Sequence, residues 1–217
     1  MINYQTLADI RRDYGEQGLC EEHLDPNPIT QFKQWLTEIL SLNPTDSTAM
    51  VLSTTDEHGY PDSRIVLLKE IDDEEFVFYT NYNSVKAIQL THIPYAALNF
   101  YWPSVSRQVR VRGHVKYTTP EQSTEYFNSR PRYSQISAII ARQSQEIPNR
   151  KFLEDAFTGL IDTSNADPAL VQRPDHWGGY RVVPEVVEFW QGRNNRLHDR
   201  IQYRSHNGVW DYHRLAP

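Results

Sequence analysis

The most constraining stretch of the chain is Arg64-Ile65-Val66-Leu67-Leu68-Lys69, four apolar residues in a row with a cation at each end. Such a run reads as a buried strand, and charge at both rims of a core strand needs a reason. Side chains alternate faces in an extended chain, so Arg64, Val66 and Leu68 would share one face and Ile65, Leu67 and Lys69 the other. The two cations then cannot serve one point unless the strand bulges. Two readings stand: anions held near opposite ends of the strand, as a phosphorylated cofactor beside a phosphorylated substrate would be, or edge charges that keep the strand from pairing wrongly.

The remaining composition narrows the class. A chain of 217 residues can bury one sizeable core, so one domain with appendages is expected. The net charge of -6 disfavours general nucleic-acid binding but leaves room for a local basic cleft that attracts a small anion. Cys20, the single cysteine, cannot form an intrachain disulfide, and there is neither a run of membrane-span length nor a signal-peptide apolar core. A cytoplasmic enzyme or binding protein, without membrane or nucleic-acid partners, is the expectation.

Along the chain, Leu7, Ile10 and Tyr14 mark a helical pattern ending at Gly15 and Gly18, an arm whose Arg11, Arg12 and Tyr14 are either a solvated face or a flap. Pro28 opens a helix to about Leu42 with Ile29, Phe32, Trp35, Leu36, Ile39 and Leu40 as core residues. Ala49–Thr55, the Arg64–Lys69 strand and Glu75–Thr80 read most simply as three antiparallel strands joined by hairpins. Asn81-Tyr82-Asn83-Ser84 signals the start of a short helix, Val85 to Leu90, with Lys86 in its first turn. That cation opposes the helix dipole unless a phosphate sits there; otherwise it is simply solvated.

Two more strands, 95–101 and 107–117, precede a helix from Pro120, on which Tyr126 and Arg130 share a face, and a second helix from Ser134 to Gln143. A ring and a guanidinium could hold a phosphate, or be two ordinary exposed residues. After a helix and a polar stretch over 149–176, strands are expected at 179–183, 185–190, 200–204 and 209–213, with Asn207-Gly208 as a hairpin turn. If residues 196–200 are extended, Arg196, His198 and Arg200 line one face, three potential cations that repel unless an anion compensates them. Dinucleotide, Walker A, zinc-protease, paired C-x-x-C and G-x-S-x-G motifs are absent, and no metal site is expected.

With these residues in view, the sequence resembles the pyridoxine (pyridoxamine) 5'-phosphate oxidase family over nearly its whole length. The specific pieces are Arg64 to Lys69, Tyr79-Thr80-Asn81, Ser129-Arg130-Pro131-Arg132, Glu188 to Gly192, Arg196 to Arg200 and Arg214 to Pro217. The resemblance implies a mainly β, antiparallel α+β fold, an FMN-binding split β-barrel over 28–217 with a helical insertion at about 120–163. An N-terminal arm, 1–27, is a candidate active-site lid. It implies a homodimer with active sites at the subunit interface and oxidation of pyridoxine and pyridoxamine phosphates by O2, with release of H2O2. FMN would lie among Arg64, Ile65, Val66, Leu67, Lys69, Tyr79, Thr80, Lys86, Gln108, Gln143, Ser144, Trp190 and Arg200. Lys69, Tyr126, Arg130 and Ser134 would hold the substrate phosphate, Arg196 and His198 would cover the pyridine ring as catalytic residues, and Arg11 with Tyr14 would close over it. Two departures stand out: Val85 where the family pattern has an arginine, and Cys20-Glu21-Glu22 where many members are basic, which removes support for a secondary phosphate site.

Overall fold

Asn27 starts the first helix: its side-chain oxygen accepts from the N–H groups of Ile29 at 2.8 Å and Thr30 at 3.4 Å, and Pro28 occupies the first helical position, where no N–H is missed. This helix, α1 (Pro28–Ser41), buries Ile29, Phe32, Trp35 and Ile39; Leu40, expected with them, turns outward to solvent. The computed structural model describes residues 14, 18–42, 45–72 and 74–217. Most of the expected N-terminal helical pattern, with Arg11 and Arg12, lies outside the described residues.

The chain continues through β1 (Ala49–Thr55), β2 (Pro61–Leu67), β3 (Glu70–Asp72), β4 (Glu75–Asn81), α2 (Val85–His92), β5 (Tyr95–Trp102) and β6 (Arg107–Tyr117). Helices α3 (Pro120–Ser129), α4 (Arg132–Ile140) and α5 (Arg150–Ala166) follow, then β7 (Trp177–Gln191), β8 (Asp199–His206) and β9 (Val209–Leu215). Among the described residues the strands are hydrogen-bonded in the order β2-β1-β5-β6-β7-β4-β3, with β8 on β7 and β9 on β8. The antiparallel registers and flanking helices give the expected mainly β, α+β class.

Four expectations change. The Arg64–Lys69 segment is not a buried strand: β2 is an edge strand that stops at Leu67, with Ile65 64 % and Leu67 40 % exposed. It forms a hairpin with β1, Leu52 opposite Arg64, but β4 is not its neighbour in the sheet; β4 pairs instead with β7 and the short β3. The strands expected at 179–183 and 185–190 are one strand, because Pro184 falls between the β4 pairing, which ends at Val182, and the β8 pairing, which begins at Val186. Finally, residues 196–200 are not uniformly extended: Asn195 and Arg196 have φ of 57° and 60°, and regular strand starts only at Asp199. The Asn207-Gly208 turn does take positive φ at both residues, as the sequence led us to expect.

Two compact units divide the chain. In the unit formed by 1–47, 99–111 and 186–217, the rings of Phe32, Phe100 and Trp102 pack together, and Trp35 meets Phe189 edge-on at 5.1 Å. Buried Arg107 lies over Trp35 and is satisfied by Glu38 and Gln191. In the unit formed by 48–98 and 112–185, Gln89 of α2 hydrogen-bonds Thr54 of β1, while Phe127, Ala138 and Trp177 make a cluster of their own. A Cβ on Gly113 of β6 would stand 1.8 Å from the carbonyl oxygen of Val183, so β6 and β7 can approach there only without a side chain.

Candidate active site

In the unit containing residues 48–98 and 112–185, β2, the end of β4, the start of α2 and helices α3–α5 surround a cavity of about 1220 Å³. Arg64, Ile65, Val66, Leu67, Lys69, Tyr79, Thr80, Lys86, Tyr126, Arg130, Gln143 and Ser144 all line it. Ser134 does not; Ser137, one turn further along α4, lines the wall instead.

One end of the cavity is cationic and partly dry. Lys86 is 6 % exposed, so the solvated alternative is excluded. Its ammonium meets the Thr80 hydroxyl at 3.3 Å and the Ser84 hydroxyl at 3.2 Å. Burial, with the charge of Arg64 added to it, pushes the Lys86 pKa down to about 8. Arg64 donates to the Thr54 hydroxyl at 2.6 Å and is paired with Asp62, while Gln143 accepts from the Thr80 hydroxyl at 3.1 Å. These partners come from the register of β1 with β2 and from the loop after α4, neither of which local sequence pattern reveals.

The second group of polar residues stands on a ladder of rings. Tyr79 stacks on Tyr126 with centroids 3.9 Å apart and 16° between planes, and Tyr79 lies 5.5 Å from Trp177 at 12°. Glu70 accepts from the Tyr79 hydroxyl at 3.1 Å and from the Gln122 amide at 2.9 Å. Burial, then the charge of Glu70, holds the Tyr79 phenol well above its ordinary range, and burial also raises Tyr126. Arg130 caps α3, its guanidinium carbon 4.7 Å from the Trp177 ring centroid. Sequence reasoning missed Glu70 and Trp177, which carry no motif of their own.

The other unit holds the remaining expected residues. Tyr14 meets Trp190 edge-on at 5.7 Å and His198 at 5.2 Å, and Trp190 lies 4.8 Å from His198. His198 Nδ1 accepts from the backbone N–H of Arg193 at 3.0 Å, which requires that nitrogen to be unprotonated; burial and then the charge of Arg196 lower its pKa in the same sense. Arg196 is exposed. Arg200 donates to Glu188 at 3.0 Å and to the Ala216 carbonyl at 2.9 Å. The three-cation argument is therefore corrected: Arg200 is balanced by Glu188, and His198 is held in a form that carries no charge. Gln108 lies half-buried on β6. At the departure noted at 20–22, Glu21 pairs with Arg214, which also bonds Asp199 at 2.6 Å and the Leu19 carbonyl at 2.8 Å.

Comparison with known proteins points to one family. Residues 36–163 match the family profile described as pyridoxamine 5'-phosphate oxidase, and residues 177–217 match the pyridoxine 5'-phosphate oxidase C-terminal dimerisation region. A pyridoxine/pyridoxamine 5'-phosphate oxidase of Legionella pneumophila (strain Paris) is 57 % identical over 217 residues, all of both chains. One from Chromohalobacter salexigens is 46 % identical over 218 residues, again the whole of both. Among solved structures, PhzG from Burkholderia lata 383 in complex with tetrahydrophenazine-1-carboxylic acid has a TM-score of 0.85 at 26 % identity, covering 90 % of this chain and 95 % of its own. An FMN-binding, pyridoxamine 5'-phosphate oxidase-related protein of Nostoc punctiforme PCC 73102 shares the fold, with a TM-score of 0.71 at 15 % identity over 88 % of this chain and 98 % of its own. The fold is the split β-barrel that the resemblance implied, no helix among the described residues is long and apolar enough to cross a membrane, and the chain belongs to the pyridoxine/pyridoxamine 5'-phosphate oxidase family.

Proposed function

We propose that the chain is an FMN-dependent oxidase that converts pyridoxine and pyridoxamine 5'-phosphates to pyridoxal 5'-phosphate, passing two electrons to O2 and releasing H2O2. The observation that carries this reading is the pair of cationic regions on one cavity wall: Lys86 with Arg64 at one, Arg130 with Tyr126 at the other. Lys86 is desolvated and its ammonium donates to the hydroxyls of Thr80 and Ser84, and one Arg130 nitrogen, Nη1, is buried without a partner. Both features suit phosphate oxygens, and the first suits the FMN phosphate.

Arg64, Lys86, Thr80, Tyr79, Gln143 and Ser144, with the Ile65–Leu67 backbone and Lys69, would hold FMN, which when bound supplies the two-electron acceptor that no side chain provides. Lys69, Tyr126 and Arg130 hold the substrate phosphate, so that binding energy remote from the reacting carbon is spent on orientation. Gln108, Trp190 and Arg200 belong to the cofactor's surroundings and Arg196, His198 and Tyr14 to the pyridine's, in a homodimer whose active sites lie at the subunit interface.

The test is peroxide release in air with each phosphorylated vitamer, with and without NADPH, on protein whose mass and released chromophore are measured. A yellow dimer that yields peroxide and pyridoxal 5'-phosphate together without NADPH is expected. Peroxide only with NADPH would indicate a flavin reductase, and bound FMN without turnover a binding protein; either overturns the proposal.

A further inference from the structure

Trp177 lies at the start of β7, opposite Asn81 of β4, and is buried against Phe127 of α3 and Ala138 of α4. One ring neighbour is Phe127, edge-on at 5.5 Å, and Tyr79 and Tyr126 lie nearly parallel to it at 5.5 and 6.2 Å. The indole is thus fixed by residues from one neighbouring strand, β4, and two helices, α3 and α4, and the Arg130 guanidinium sits over it. Local hydrogen bonds anchor the backbone of Arg130: its N–H donates to the Phe127 carbonyl at 3.2 Å, and its carbonyl accepts from Gln135 at 3.0 Å.

The two arginines of this cavity are held by different means. Arg64 spends donors on Asp62, Thr54 and the Leu52 carbonyl. Arg130 rests on a ring face, and its Nη1 remains buried and unpartnered. A carboxylate partner would orient a guanidinium but occupy its N–H donors and cancel its charge, whereas an aromatic face orients it through the ring quadrupole and leaves the donors free. An arginine so held is ready for an oxyanion that can take two parallel N–H bonds.

We infer that Trp177 is a positioning residue for phosphate recognition: its indole presets the Arg130 guanidinium, and so sets how strongly phosphorylated substrates are preferred over unphosphorylated ones. The inference rests on the proposed role of Arg130 as phosphate ligand.

The experiment compares Trp177→Phe, Trp177→Leu, Arg130→Met and the Arg130→Met/Trp177→Phe double variant in the FMN-loaded enzyme. The readouts are kcat and KM for pyridoxine 5'-phosphate and for pyridoxine, and the inhibition constant of inorganic phosphate. Trp177→Leu should raise KM for the phosphorylated substrate about tenfold or more and weaken phosphate inhibition alike, leaving kcat within about threefold and kcat/KM for pyridoxine unchanged. Trp177→Phe, which keeps a ring, should recover most of the loss, and should add nothing once Arg130 is methionine. Equal losses for pyridoxine and its phosphate, additivity in the double variant, or no effect in either Trp177 variant would each overturn the inference. Should Trp177→Leu fail to fold, Trp177→Met, which also removes the ring face but keeps the bulk, takes its place with the same expected loss and the same overturning outcomes. If Arg130→Met itself leaves the phosphate preference intact, the phosphate-ligand reading falls and this inference with it; if only the Trp177 variants are silent, the inference falls alone.

Discussion

The ammonium of Lys86 lies 3.3 Å from the hydroxyl of Thr80, at a point where α2 begins and β4 ends. Its pKa is pushed from 10.5 to about 8, so the free protein loses this charge as pH rises through about 8. A bound phosphate favours the ammonium, so FMN binding should take up a proton above that pH. We expect the FMN dissociation constant of the apo-protein to show no pH dependence from Lys86 below about pH 7, where the ammonium is fully charged, and to weaken by up to about tenfold per pH unit between about 8 and 10. For stability the sign is opposite: the unfolded chain holds more protons between pH 8 and 10.5, so the cost of burying this lysine is present below 8 and fades across that window. Titrations from pH 7 to 10 check the binding slope, which Lys86→Arg should abolish.

Val85 lines the same cavity beside Lys86, 42 % exposed at the first turn of α2. A guanidinium there would add a charged donor to the phosphate end, worth about 1.5–3 kcal/mol. Val85→Arg should lower the FMN dissociation constant by roughly one to two decades at low salt, with a smaller gain at high salt and kcat nearly unchanged. An unchanged constant would mean that position 85 does not face the phosphate.

Gly113→Ala should be among the most destabilising single changes in the chain, because its Cβ would meet backbone, the Val183 carbonyl, rather than a side chain able to move. About 3 kcal/mol is expected, read as a drop in the urea midpoint. Alanine at Gly159, where a Cβ meets nothing within 4 Å, is the control and should not destabilise.

Arg214 holds Glu21 and Asp199 together, while Asp199 also accepts from the Leu19 amide at 3.0 Å. The guanidinium keeps the Glu21 carboxyl at about 2, so this contribution is complete above about pH 4.5 and is lost only as pH falls from there toward 2. Hydrogen exchange of the Leu19–His23 amides should therefore keep the same protection from pH 5 to 8. Arg214→Met should reduce that protection about tenfold across the range, and unchanged protection would show that other contacts hold the segment.

What the sequence revealed was local. The start of α1 at Pro28 and most of its apolar face, the strand at 107–117 and the hairpin turn at Asn207-Gly208 all depend on neighbours a few residues away, and each is where it was expected. Pairing partners were not legible: that β1 turns its second edge to β5, leaving β2 at the rim, depends on a strand some forty residues on, and a run of apolar residues looks the same at an edge as in a core. In the site, Arg64, Lys86 and Arg130 stood out as charge in unexpected settings. Thr54, Gln89, Glu70, Glu188 and Trp177, which hold those and their neighbours in place, are ordinary residues brought in by register and packing.

The stack of Tyr79, Tyr126 and Trp177 also offers an optical test. Rings this close should pass excitation from the two phenols to the indole, whose emission should respond to a change in the charge on its face. An anion drawn to Arg130 would alter that emission before any chemistry occurs. The difference in fluorescence between the parent protein and Trp177→Phe should isolate this signal from the other tryptophans and report the arrival of a ligand in real time, without a label.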